Sequence, residues 1–168
     1  MRSLAHIEKV KTVYDIENAD NIEMVVVQDY HVVAKKGQFK VNDLVVYVEV
    51  DSILPDGLPE QNQIIYKELK TKLKELTKRA KKENVEEELA NVNTQIASIL
   101  STNTLPHFEF LRQKKFTIKA LRYNSFNVIS QGILFSTDTL NTEIIEGKDV
   151  TELLQIKKVE EETIVEVE

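Results

Sequence analysis

Two hydrophobic periods alternate along this chain and divide it. Leu4, Val10 and Val13 stand among charged residues, so Leu4–Tyr14 reads as a strand. Glu17–Ile22 carries Asn18, Asp20 and Asn21, whose side chains favour turns by bonding nearby backbone. Met24–Val27 and His31–Ala34 are largely β-branched runs around Gln28-Asp29-Tyr30, predicting either one long bent strand or a hairpin. Lys36-Gly37 marks a turn. Val45, Tyr47 and Glu49 then alternate with Leu44, Val46, Val48 and Val50, which predicts a strand with one strongly apolar face. Pro55-Asp56-Gly57 ends it.

The period changes over residues 62–104, which contain no Gly or Pro. Tyr66, Leu69, Leu73, Leu76 and Ala80 step by three and four, as do Val85, Leu89, Val92, Ile96 and Ile99; both stripes are helical. Asn84 followed by Glu87 has the form of an N-cap with a reaching carboxylate and places a second helix start near Val85. The first stripe lies in a basic segment and the second in an acidic one, so the two would attract across a seam. An antiparallel helical hairpin, in effect a short coiled coil, is the favoured reading. One continuous helix of about 60 Å is the alternative.

Beyond Pro106, Phe116–Leu121 and Val128–Ser136 return to strand-like patterns around Tyr123-Asn124-Ser125. Gly147-Lys148-Asp149-Val150 opens a short turn or helical segment at Thr151–Leu154. Three strands, a helical element and two strands is the order of an OB barrel, in which a helix joins the third strand to the fourth. The expected fold is therefore mainly β with an α insertion. A five-stranded OB-like barrel takes residues 1–59 and 105–156, and a two-helix hairpin at 60–104 sits between strands 3 and 4. Residues 157–168 form an acidic C-terminal tail or edge strand. Burial is expected at Val26, Val33, Leu44, Val46, Val48, Ile118, Leu121 and Leu134.

Composition narrows the chemistry. The chain has no Cys, which excludes disulfides and thiolate metal sites. Its first residues lack the apolar stretch of a signal peptide, and no apolar run approaches the roughly 20 residues that span a bilayer. No membrane contact and a cytoplasmic location are expected. A net charge of −6 argues against a generic nucleic-acid coat, yet the charge comes in blocks. Residues 67–82 hold eight Lys/Arg against two Glu, and residues 83–100 hold four Glu and no Lys or Arg. Residues 109–122 hold five bases against one Glu, and 141–168 hold nine acids against three Lys. A globally acidic chain can still present a basic stripe, because local potential steers a ligand.

Several phrases are more specific than these periods. They are Lys35-Lys36-Gly37-Gln38-Phe39-Lys40-Val41-Asn42-Asp43 before a strand, Val50-Asp51-Ser52-Ile53-Leu54-Pro55 after it, Phe108-Glu109-Phe110-Leu111-Arg112, and Ile129-Ser130-Gln131-Gly132. Together with Asp149-Val150-Thr151-Glu152-Leu153-Leu154, they make residues 1–59 and 105–156 resemble the N-terminal OB-type domain of a family of ATP-dependent RNA ligases. The helical hairpin departs from that pattern. The resemblance implies a following nucleotidyltransferase domain with a Lys-x-Asp-Gly nucleophile. Residues 1–168 contain no such motif, and neither Lys148-Asp149 nor Pro55-Asp56-Gly57 supplies one. No catalytic residues and no cofactor are therefore expected.

Other constellations are weak. His6, His31 and His107 lack metal-pair spacing, so no metal site is expected. Glu49 and Asp51 could share one strand face as a carboxylate pair, but a solvated outer face is the plainer reading. The basic and aromatic positions are better candidates. Lys114, Lys115, Phe116, Lys119, Arg122 and Tyr123, with Lys35 and Lys36, suit a groove that stacks bases on aromatic rings while cations follow phosphates. The expected function is a non-catalytic OB-fold module binding single-stranded nucleic acid or a nucleotide. Three alternatives remain: a protein-interaction module or homodimer acting through Leu69, Leu73, Leu76, Leu89, Val92 and Ile96 of the insertion; a phage-type inhibitor; and the accessory half of a split ligase.

Overall fold

A computed structural model describes residues 3–159 and 164–167. The chain divides into two compact units, one formed by the residues up to Pro55 together with those from Gln113 onward, the other by Asp56–Arg112.

The first unit is built on β1 (Ala5–Asp15), β2 (Ile22–Val27), β3 (Tyr30–Lys35), β4 (Leu44–Val48) and β9 (Ile133–Ser136). These form one sheet in the order β3-β2-β1-β4-β9. Strand β1 serves two neighbours. Its first half, Ala5–Lys9, pairs with β4, and its second half, Val10–Asp15, pairs with β2. The register shifts between Val10 and Thr12, a bulge that bends the strand so that each half can meet a different partner. The sheet curls, so β3 and β9 at its two ends approach one another.

Curling decides what is buried. Val10, Val25, Val27, Val32, Val45, Tyr47 and Leu134 form one apolar cluster with Phe39. Val46 and Val48 point the other way from Val45 and Tyr47, yet they too are buried. Strand β4 is therefore covered on both faces, not on one as its alternation predicted. Burying each valine stabilises by roughly 1.5–3 kcal/mol. Val26, Ile118 and Leu134 are buried as expected, while Val33, Leu44 and Leu121 are only half-buried.

The expected place of the helices needs correcting. Gln28 adopts a left-handed φ of 49° and breaks the run of residues 24–34 into two antiparallel strands. Leu44–Val48 is thereby the fourth strand. Asp51, with φ of 63°, then turns the chain into β5 (Ser52–Ile53). The helices follow β5 instead of joining strands 3 and 4.

After the helices come β6 (Thr117–Ile118), β7 (Ala120–Tyr123), β8 (Val128–Ser130), β9, β10 (Lys157–Lys158) and β11 (Ile164–Val167). Strand β6 pairs with β5, which also takes β10; β7 lies between β8 and a parallel β11. Within residues 157–168, Lys157–Lys158 and Ile164–Val167 are strands, while residues 160–163 and 168 lie outside the described residues.

Side chains complete the closure. The Val33 amide donates to Ser130 Oγ at 2.9 Å, and the His31 amide donates to Gln131 Oε1 at 2.9 Å. Gly132, at φ of 98°, lets the chain pass beneath Tyr47, since a Cβ there would stand 2.5 Å from the Val48 carbonyl oxygen. At the other margin, the amides of Leu4 and Ala5 donate to Thr151 Oγ1 at 2.9 and 3.0 Å.

The second unit contains α1 (Glu60–Arg79) and α2 (Glu86–Leu100), an antiparallel pair and not one long helix. Leu76, Val85 and Val92 are buried in the seam, flanked by Leu73, Leu89 and Ile96. The N-cap of α2 is Val85 rather than Asn84, whose Oδ1 instead accepts from the Glu86 amide at 3.2 Å. Among the described residues no salt bridge joins α1 to α2; Arg79 pairs locally with Glu83 at 3.0 Å. Packing of the apolar stripe holds the hairpin together, and the attraction of opposite charges acts at its tip, where Glu88 of α2 favours the charge on Arg79 of α1.

Its base is clamped. Arg112 donates to both carboxylate oxygens of Asp56, at 2.6 and 2.7 Å, and to both of Glu109, at 2.7 and 2.9 Å. Its guanidinium lies 5.1 Å from the centroid of the Tyr66 ring. Burial opposes the charge on Arg112, but the bonds to Glu109 and Asp56 outweigh it and push the guanidinium above its ordinary value.

Candidate functional site

Lys114 and Lys115 are exposed where the 3-10 segment Pro106–Lys114 gives way to β6. Lys115 and Phe116 both adopt left-handed backbone, with φ of 55° and 57°. Two such non-glycine residues in succession cost on the order of 1 kcal/mol each or more. The turn puts the Phe116 ring inside, at 6% exposed, while the lysines before it face solvent. Phe116 is therefore core and not the exposed stacking platform expected of it.

The other predicted positions are distributed more widely. Lys119 is half-buried, and its Nζ lies 3.0 Å from Asp51 Oδ1. Arg122 and Tyr123 are half-buried on β7, in register with Ile129 and Val128 of β8; burial pushes the Tyr123 phenol up. Lys35 and Lys36 are exposed at the end of β3, and Lys36 Nζ lies 3.5 Å from Asp15. An exposed pair of this kind is weak and leaves the ammonium accessible. In the helical unit, Leu76 and Val92 are spent in the seam, with Leu73, Leu89 and Ile96 packed against them and Leu69 half-buried. Those six residues chiefly hold the hairpin to itself.

Glu49 and Asp51 do not form the solvated face expected of them. They are 7% and 4% exposed and have different partners. Glu49 belongs to a cluster the sequence reading missed. His6 Nδ1 lies 2.6 Å from Glu8 Oε2, and His6 Nε2 lies 3.8 Å from Glu49 Oε2. An ionised Glu8 only accepts, so Nδ1–H is then the donor. The imidazole leans on Tyr47, whose ring stacks on Tyr30 at 4.6 Å between centroids. His6, Glu8, Tyr30 and Glu49 line an open cavity of about 610 Å³ with Glu146. The available signal was the spacing His6-x-Glu8 on β1, which puts both polar side chains on one face of the strand. Among the described residues no three His, Cys, Asp or Glu side chains are placed to hold a metal ion. No helix among them is long and apolar enough to cross a membrane.

Comparison with known proteins agrees with this geometry. Residues 4–80 match a family model described as an OB-fold domain. No curated protein matches the chain by sequence. Among solved structures, Naegleria gruberi RNA ligase with PPi superposes with a TM-score of 0.59 at 22% identity, covering 97% of this chain and 37% of that one. A variant of the same ligase with AMP and Mn gives a TM-score of 0.56 at 23% identity, covering 95% and 36%. The chain thus spans about a third of the ligase it resembles. Residues 4–80 match the OB-fold domain family, and the resemblance of the chain to the OB-type part of an RNA ligase holds in three dimensions as a likeness of fold.

Proposed function

We propose that residues 1–168 act as a binding module for single-stranded nucleic acid and carry out no nucleotidyl transfer by themselves. The observation that carries this reading is the strained turn at Lys115-Phe116. Backbone strain persists only where surrounding structure enforces it, and here it separates a buried ring from two exposed ammonium groups, Lys114 and Lys115. Arg122 and Tyr123 on the nearby strand of the same unit add charge and a ring of the type that single-strand grooves use. The missing Lys-x-Asp-Gly motif supports the non-catalytic half of the proposal, since a lysine nucleophile must be activated as well as present.

Fluorescence anisotropy with a labelled oligouridylate tests the binding. Replacing Lys114 and Lys115 by Glu reverses two charges at exposed positions and should abolish it with little effect on folding. Unchanged binding by that variant would remove the proposed site. Incubation with labelled ATP and a divalent metal should leave the chain unlabelled, and stable labelling would overturn the non-catalytic reading.

A further inference from the structure

The helical unit carries a charge pattern that its own packing does not use. At 3.6 residues per turn, Lys67, Lys70, Lys74 and Lys78 of α1 fall within an arc of about 80°, on one flank of the seam stripe. Of the three acids of α1, Glu68 and Glu75 lie about 100–120° round from the centre of that arc, and Glu60 stands about two turns before Lys67 at the helix start. Among the described residues no ion pair engages these four lysines. Helix α2 cannot neutralise most of them, because its acids, Glu86, Glu87 and Glu88, sit in its first turn beside the hairpin tip. From Leu89 to Leu100 it has no charged residue at all. A shallow groove of about 530 Å³ runs along the same flank between Lys70, Leu73, Lys74, Thr77 and Lys78.

We propose that this flank of α1 follows the phosphodiester backbone of a nucleic-acid strand, as a second contact surface of the chain. The inference rests on the nucleic-acid reading above but places the contact on a different unit. Lysines spaced by four residues rise about 6 Å per step, giving a line of point charges suited to successive phosphates. Lysine supplies charge without the planar fork that reads bases, so the contact is one of backbone and not of sequence. The apolar stripe of α1 is spent on α2, with Leu76 buried, so charge and not apolar surface distinguishes this flank.

Neutralising Lys67, Lys70, Lys74 and Lys78 together with Gln tests the surface in the full chain, because Gln keeps nearly the same helix propensity. Binding of labelled oligouridylate is followed by anisotropy across a NaCl series. Four phosphate contacts on a single strand correspond to a slope of log K against log salt of about −3, so the variant should be shallower by about that amount. An unchanged slope would overturn the stripe. If that result came with lost binding in the Lys114→Glu/Lys115→Glu variant, the barrel reading would stand alone. Loss of slope in the quadruple variant, with the Lys114/Lys115 variant still binding, would uphold the stripe and remove the barrel site. A wild-type chain that binds no strand would overturn both. Should the quadruple variant misfold, lysine footprinting of the wild type decides: RNA should shield these four and leave Lys72, on the other flank, reactive. Equal reactivity at all five, or displacement of the strand by polyglutamate of equal charge, would overturn the assignment.

Discussion

The Tyr47 hydroxyl donates to the Gln131 carbonyl at 2.6 Å, tying β4 to the bend before β9 across 84 positions of chain. The same Tyr47 ring meets His6 at 5.5 Å and stacks on Tyr30 at 4.6 Å between centroids. One aromatic side chain thus joins the closure of the sheet to the polar cavity. Tyr47→Phe should leave the carbonyl unpaired and destabilise by about 1–3 kcal/mol. Gly132→Ala should cost at least as much, since the new Cβ meets Val48 and Tyr47 at a φ that disfavours any side chain. Urea unfolding of both variants checks this, and wild-type stability in Gly132→Ala would refute the close approach.

Arg112→Lys should loosen the helical unit. An ammonium group cannot reproduce two forked contacts to Asp56 and Glu109, so about 2 kcal/mol of local stability should disappear. Amide exchange in α1 should accelerate roughly 30-fold, following that free energy. Exchange at the wild-type rate would show that the clamp is dispensable.

Leu76→Ala should open a cavity in the apolar seam of the hairpin. A truncation at so buried a site costs about 2–5 kcal/mol. Helical circular dichroism should melt earlier, whereas Thr71→Ala, at an exposed position of the same helix where Ala is the better helix former, should not lower the melting point.

Asp149 accepts from both the amide and the hydroxyl of Thr151, at 2.9 and 2.6 Å, and these bonds hold its carboxyl below the ordinary value. A depressed carboxylate contributes stability above its unfolded value near about 4, and that contribution is lost as pH falls through the lower folded value. Asp149→Asn should flatten the acid limb of the stability profile. Thr151→Val should flatten it too and should also cost about 1–3 kcal/mol at neutral pH, because the Leu4 and Ala5 amides lose their acceptor. An acid limb as steep as that of the wild type in both variants would show that the pair does not set it.

Local sequence was enough for the kinds of element and for the family likeness. The three-and-four steps of Leu69–Ala80 and Val85–Ile99 predicted two helices, and the structure has them. Period two predicted the strand at Leu44. The phrases that carried the resemblance turn out to be tie points: Ser130 and Gln131 close the sheet, Glu109 and Arg112 clamp the hairpin together with Asp56, which lies just beyond the phrase ending at Pro55, and Thr151 holds the first strand. They were legible because such contacts demand particular side chains at fixed positions. Tertiary structure decided the rest. Whether Gln28 and Asp51 turn the chain depends on what the flanking strands pair with, so the strand count and the place of the helices were not written locally. Periodicity cannot tell that a curled sheet buries both faces of β4, or that Phe116 turns inward while Lys115 turns out. Nor can it bring Glu49 to within 4 Å of His6, because that proximity exists only once β1 and β4 lie side by side.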